Sequence, residues 1–394
     1  MKFLFIFCDM LSSTRIKTFN KDVENNSKLD RIFKKIKGTA FTNCYTPAPD
    51  TPRSLASMYT GKYPKENGCD LRYKWPKYYL KNNVETIFDF VKNNKYSVYS
   101  NISSARSSVG FLPKNAEKFI VNYNSLNQLI RNKKHILAKK KLLLFIDLID
   151  YHQSIEDFGG LYIGNKFGIE KISNAITKLF SAIPHSTFDY IIFFSDHGCQ
   201  LSDDKSLNDL LLLPFDNRSK ILMFIHKSGN KKINLDNRLC SIMDLFPTIK
   251  NIIHASHKNI SSLLSKKKLE KPIVIEDHAI FSPEDNFRHK VWGVRSKEWF
   301  YVVSENSDKL FKVLSSYKYK LIKKKMGIIF ELKKYLNIFS TSYSDHVKYK
   351  SILNFYNQMK ITKIKYYNDD TKTKNFLFKK IAKIMFYIIK LTKL

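Results

Sequence analysis

Asp9, Thr51, Asp150, His152, Asp196 and His197 are the residues whose types and placement could do chemistry. Asp196 and His197 are adjacent, end an apolar run and are followed by Gly198. A strand that gives way to a glycine turn can point both side chains into one cavity. Carboxylate plus imidazole is a ligand set for Zn²⁺ or Mn²⁺. Asp9 ends another apolar run, although an acid there also serves as a turn or helix cap. Asp150 and His152 follow a third run; a satisfied structural histidine is the alternative for His152. Thr51 lies among Pro47, Pro49 and Pro52, which make the approach irregular, and 54–59 reads as the first turns of a helix. A hydroxyl at or just before a helix N-terminus meets N–H groups and a dipole that favour an anion. A plain threonine N-cap is the alternative.

The elements that must position these residues are also legible. Runs at 2–8, 141–148, 190–195, 220–225 and 271–275 read as buried strands. Apolar residues at helical spacing mark helices over 84–93 and 167–180. Strands alternating with helices predict an α/β fold, with a mainly parallel central sheet flanked by helices. Such sheets bind ligands beyond the carboxyl ends of their strands, where Asp9, Asp150 and Asp196 fall. Residues 1–285 form this α/β domain. Over 286–318 we expect a small antiparallel C-terminal subdomain: a strand pair at 290–303 with Trp292, Trp299, Phe300 and Tyr301, then a strand at 310–314. Residues 319–394 read as a Lys- and Tyr-rich helical tail. As a helix, 376–394 would be basic and amphipathic, which suits a peripheral membrane contact; docking on the body with a solvated Lys face is the alternative.

The formal net charge is +33, from 68 Lys and Arg against 35 Asp and Glu. Such an excess suits an anionic substrate, an anionic membrane surface or nucleic acid; a Lys-, Asn- and Ile-rich gene composition would also produce it. No helix-turn-helix, zinc-finger or RNP-type pattern is present, which argues against specific nucleic-acid binding. The five cysteines, Cys8, Cys44, Cys69, Cys199 and Cys240, include no CxxC pair. This argues against a disulfide framework and a zinc-thiolate site, and fits a reducing compartment. The apolar start ends at Asp9 without a small-residue cleavage site, so it reads as a strand rather than a signal peptide. No segment reaches the roughly 18 apolar residues of a spanning helix. The expected location is cytoplasmic, with contact at the inner face of the membrane as an extension.

Taken in order, these motifs resemble those of the sulfatase/alkaline-phosphatase superfamily. Its nucleophile, a Cys, Ser or Thr, is followed by small residues and then by Thr-Gly-x-Tyr-Pro, here Thr60-Gly61-Lys62-Tyr63-Pro64. Counting back puts Thr51 at the nucleophile position, and Ser54 and Ser57 match the spacing of Thr-type members. Asp9 matches the first-strand metal ligand, and Ser195-Asp196-His197-Gly198 matches the family's Ser-Asp-His-Gly. Asp244-Leu245-Phe246-Pro247-Thr248 and Val294-Arg295-Ser296 match later motifs, so the resemblance runs from Met1 to about Leu314. It implies a ligand set of Asp9, Thr51, Asp196 and His197 for at least one divalent cation (Mn, Zn, Mg or Ca), and it allows a second. It also implies a covalent ester on Thr51, with His152 contacting substrate, protonating the leaving group or helping a second metal. Arg53, Asp150, His278 and His289 are candidate substrate-binding residues.

The sequence departs from the sulfatase pattern in several places. Met10 follows Asp9 where sulfatases usually place another acid, and Thr51 cannot become formylglycine, which is made from Cys or Ser. Arg53 stands two residues after Thr51, whereas the sulfatase Arg stands four after, where this chain has Leu55. Cys199-Gln200 replaces the usual Gly-Glu-His start, and Phe300 fills a commonly basic position. These departures favour phosphate esters: a phosphoesterase or phosphotransferase acting on a phosphodiester or headgroup, with surface-glycan modification as the setting. A sulfatase-like hydrolase of sulfate esters is the alternative. A non-catalytic member binding an anionic polymer or membrane is the third reading. The expected partner is an anionic phosphorylated or sulfated substrate, glycan or lipid-linked.

Overall fold

The computed structural model describes residues 1–69, 80–81, 83–102, 116–201, 215–254, 262–265, 270–279, 289–304, 307–315, 318–322 and 325–337. Fifteen strands are present among them: β1 (Lys2–Cys8), β2 (Gly38–Phe41), β3 (Cys44–Tyr45), β4 (Ser97–Ser100), β5 (Ile120–Asn122), β6 (Leu142–Leu148), β7 (Tyr190–Phe194), β8 (Met223–Lys227), β9 (Ile233–Asp236), β10 (Cys240–Ser241), β11 (Ile273–Ala279), β12 (His289–Arg295), β13 (Trp299–Ser304), β14 (Ser307–Ser315) and β15 (Lys318–Ile322). The helices used below are α1 (Lys28–Ile36), α2 (Thr51–Thr60), α3 (Ile87–Asn93), α4 (Asp150–Asp157), α5 (Tyr162–Ala182), α6 (Leu245–Ile253) and α7 (Met326–Asn337).

Eight strands form the central sheet in the order β5-β4-β6-β1-β7-β8-β2-β9. β1 runs parallel to both neighbours, with Phe5 opposite Phe145 of β6 and Ile192 of β7. Alternation along β1 explains the layers. Phe3, Phe5 and Phe7 enter one core with Leu55, Met58 and Tyr59 of α2, Phe88 of α3 and Ile249 of α6. Leu4, Ile6 and Cys8 enter the other with Phe33 of α1 and Ile172, Ile176 and Leu179 of α5. Both faces are covered, which is why these strands read as unbroken apolar runs. Each fully buried Phe or Leu contributes about 1.5–3 kcal/mol relative to exposure. The α/β expectation holds, with one departure: β8 is antiparallel to β7 and to β2.

A second, five-stranded antiparallel sheet follows the order β11-β12-β13-β14-β15. The run at 271–275 was expected in the parallel sheet, but Ile273–Ala279 is the first strand of this one. The reason is burial on both faces. Ile273 and Ile275 pack with Tyr45, Phe215 and Leu239, whereas Val274 packs with Leu332 and Leu336 of α7. A strand covered on both sides carries no alternation to betray its antiparallel partner. The antiparallel region therefore begins before 286 and ends at Ile322. Residues 318–322, expected to be helical, are a strand whose Tyr319 and Leu321 pair across from Val313 and Phe311. α7 is helical as expected; 338–394 lies outside the described residues. All five cysteines are buried and none forms a disulfide. Among the described residues, no helix is long and apolar enough to cross a membrane.

Candidate active site

Asp9 directly follows β1 and Asp196 lies just beyond β7, so the parallel pairing of these strands brings two acids from distant sequence to one sheet edge. Met10 adopts φ 66°, a left-handed conformation that costs a non-glycine residue strain. The turn lets the Met10 N–H donate to Asp196 Oδ1 at 3.0 Å. Asp9, Asp196 and His197 each offer one ligand atom, all within 4.8 Å of one another. Both carboxylates are buried. Burial pushes the Asp196 carboxyl above its ordinary range; His197 pulls against this, and the like charge of Asp9 adds to it. Two buried carboxylates and an imidazole nitrogen fit a divalent cation, because a cation would offset the repulsion that the fold imposes on them.

His197 Nδ1 lies 2.8 Å from the Gly198 carbonyl. A carbonyl only accepts, so Nδ1 carries the proton and Nε2 presents its lone pair. Thr51 Oγ1 is 3.2 Å from that Nε2. The Thr51 hydroxyl is not consumed as a helix cap. Asp50 is the N-cap of α2, accepting from Arg53 N at 3.3 Å, and Thr51 is the first helical residue. Ser54 Oγ donates to the Asp196 carbonyl at 2.7 Å, and Thr46 Oγ1 donates to Ser54 Oγ at 2.7 Å. The hydroxyl-bearing helix is thus tied to the segment that carries Asp196 and His197.

His152 sits on α4, in the turn after β6. Its Nδ1 contacts Asp9 Oδ2 at 3.1 Å and its Nε2 contacts Glu156 Oε1 at 3.0 Å. Burial lowers the imidazole pKa, but the Asp9 and Glu156 carboxylates outweigh burial and push it up to about 9. Asp150 opens the same helix, half-buried. Arg53, a candidate for meeting substrate, lies in the first turn of α2. It is fully buried, its Nε donates to Asp50 Oδ2 at 2.6 Å, and its Nη2 contacts the same oxygen. Two residues along a helix rotate a side chain by about 200°, so Arg53 braces the cap instead of sharing the face of Thr51. In the β11–β12 ladder, His278 is in register with Lys290 and His289 with Ala279. Asp277 of β11 receives both terminal nitrogens of Arg218.

Gly198 shows how tightly this edge is built. Its N–H donates to the Arg218 carbonyl at 2.8 Å. A Cβ at this position would meet the Asn217 carbonyl oxygen at 2.1 Å and Ser12 Cβ at 2.7 Å. Backbone cannot yield as a flexible side chain can. Gly198→Ala should therefore cost about 1–3 kcal/mol in urea unfolding and displace His197 enough to weaken metal binding. Unchanged stability and affinity would contradict this packing.

Sequence reasoning missed a buried cluster behind Gly198. Asp216 accepts from Tyr45 Oη at 3.1 Å and from Tyr319 Oη, lies 3.5 Å from Arg295 Nε, and lies 3.7 Å from Lys220 Nζ. The Asp216 N–H in turn donates to Tyr319 Oη at 3.2 Å. Only Lys220, at i+4, is a local partner of Asp216; Tyr45, Arg295 and Tyr319 come from three distant elements. Two other omissions had a signal: Asp50 precedes Pro52 by two residues, the spacing of a cap before Pro near a helix start, and Glu156 is i+4 to His152.

The Sulfatase family profile matches residues 2–135. No curated protein matches the chain. Among solved structures, a 2-O GAG sulfatase superposes with TM-score 0.63 at 14% identity, covering 87% of this chain and 92% of that one. A Bacteroides thetaiotaomicron protein described under the metabolism of multiple glycosaminoglycans gives TM-score 0.64 at 12% identity, over 87% and 98%. A Vibrio parahaemolyticus protein of the alkaline phosphatase superfamily gives 0.58 at 14% identity, over 88% of each chain. The profile match spans both Asp9 and Thr51, and the chain shares its fold with sulfatases and with a protein of the alkaline phosphatase superfamily.

Proposed function

We propose that the chain cleaves or transfers an anionic ester, most specifically a phosphate ester, through a covalent intermediate on Thr51 with a divalent cation held by Asp9, Asp196, His197 and the Thr51 hydroxyl. The observation that carries this reading is the approach of Thr51 Oγ1 to His197 Nε2 while Asp50 takes over helix capping. A bound cation would lower the hydroxyl pKa and neutralise charge on the transferred group. The Gly198 carbonyl holds the His197 ring in the tautomer whose Nε2 is available. Thr51 Oγ releases its proton to solvent and forms the new bond to phosphorus as the bond to the leaving oxygen breaks. His152, with both ring nitrogens on carboxylates, is placed to hold the proton that the leaving oxygen needs. Water or an acceptor hydroxyl then attacks the same phosphorus and releases Thr51. Phosphate is preferred because threonine offers no route to formylglycine. Sulfate is the second reading, favoured by the descriptions of the structurally similar sulfatases.

The test is metal-stripped protein given a phosphodiester, a phosphomonoester and a sulfate ester, with Mn²⁺, Zn²⁺, Mg²⁺ or Ca²⁺ added back. We expect turnover only with metal and fastest on the phosphodiester. Asp196→Asn should weaken metal binding, followed by calorimetry, by at least about 10–100-fold. Faster turnover of the sulfate ester would select the second reading. A wild type that binds metal no better than Asp196→Asn would sink both.

A further inference from the structure

The large apolar side chains most exposed among the described residues cluster in one stretch of sequence: Met326 (73%), Phe330 (65%) and Leu314 (58%). Met326 and Phe330 are i and i+4 on α7, so they share a face. The opposite face of the helix buries Leu332 and Leu336 against Val274, Trp292 and Val294. The apolar pair is thus not part of the core that holds the helix in place. Lysines lie close to it in sequence. Lys334 Nζ lies 5.0 Å from the Phe330 ring centroid, while Lys325 and Lys333 reach over the rings of Trp299 and Tyr301. Between 308 and 337 there are nine lysines and two acids, Asp308 and Glu331. Both acids are paired to lysines of this same helix, Lys333 at 3.3 Å and Lys334 at 2.7 Å.

An exposed apolar pair within so lysine-rich a stretch fits a partner that is both apolar and anionic. We infer that the Met326/Phe330 face of α7 docks on an anionic lipid surface, with both side chains inserted among the headgroups and the lysines on lipid phosphates. The charge balance selects this occupant. Residues 338–394 carry twelve lysines against three aspartates, so that segment would bring like charge to the face, as would the same face of a second copy. A soluble polyanion would satisfy the lysines but leave Met326 and Phe330 in water. The inference stands apart from the proposed chemistry at Thr51.

The experiment is flotation of the full chain with vesicles of phosphatidylcholine alone or of phosphatidylcholine mixed with phosphatidylglycerol. Binding should require the anionic lipid and fall as salt rises. The double variant Met326→Ser/Phe330→Ser should bind at least about tenfold more weakly while keeping the wild-type melting temperature, because neither side chain packs in the core. Phe330→Trp should give a blue-shifted difference fluorescence against wild type with anionic vesicles only. Equal binding by the double variant, or no blue shift, would overturn this face as the contact. Binding to a soluble polyanion such as heparin without binding to anionic vesicles would overturn the lipid assignment.

Discussion

Thr51→Ala should abolish ester turnover, by about 10⁴–10⁶-fold in kcat, the scale on which deletion of a nucleophile acts. The substitution removes the atom that would form the covalent bond, and little else. Asp50 still caps α2, Ser54 still bonds the Asp196 carbonyl, and the core residues Leu55, Met58 and Tyr59 are untouched. Stability should therefore stay within about 0.5–1 kcal/mol of wild type, which a urea titration checks. Thr51→Ser keeps a hydroxyl at the same place and should retain measurable turnover. Burst kinetics with an activated ester would show a stoichiometric first product in wild type and in Thr51→Ser. If Thr51→Ala turns over within tenfold of wild type, a directly activated water has to replace the covalent route.

Asp216→Ala should destabilise the fold by about 3–5 kcal/mol, because it strands two buried cations, Lys220 and Arg295, without their anion. Burial alone would raise the Asp216 carboxyl pKa; Arg295 and Lys220 overcome it and hold the group below its usual range. The sign of the pH dependence follows. A carboxyl whose folded value is depressed contributes stability that is present above the unfolded range, near pH 4. That stability is lost as the pH falls through the folded value. The gap between wild type and Asp216→Ala should therefore be widest near neutrality and shrink in acid. Equilibrium urea unfolding across pH reads this directly. A gap below about 1 kcal/mol at neutral pH would mean that the cluster's desolvation cost already cancels its attraction.

How much of this was legible in the sequence depended on range. The acids at strand ends were readable because β1 and β7 are continuous apolar runs that stop at polar residues, and β6 is apolar apart from Asp147. Thr51 could be located, but whether its hydroxyl capped the helix could not be decided, since Asp50 and Thr51 are both capping types; the backbone settled that in favour of Asp50. β11 was placed in the wrong sheet because its two faces are buried by different partners. Contacts such as Ser54 to Asp196, 142 residues apart, and Asp216 to Tyr319, 103 apart, follow no local period. They depend on chain topology, and only the folded backbone brings them together.

A threonine at the first position of α2, with capping delegated to Asp50, has a consequence for rotamer entropy. Two heavy atoms on Cβ restrict χ1, whereas a serine hydroxyl samples all three staggered wells. Turning Oγ1 away from His197 swings the γ-methyl into another well in the same rotation, so any well too crowded for a methyl closes that rotation to the hydroxyl as well. A serine here would do the same bond-making but would spend more of its time pointing away. The methyl group thus restrains the Thr51 hydroxyl, and in the proposed reaction it would favour the orientation needed for attack before any substrate arrives.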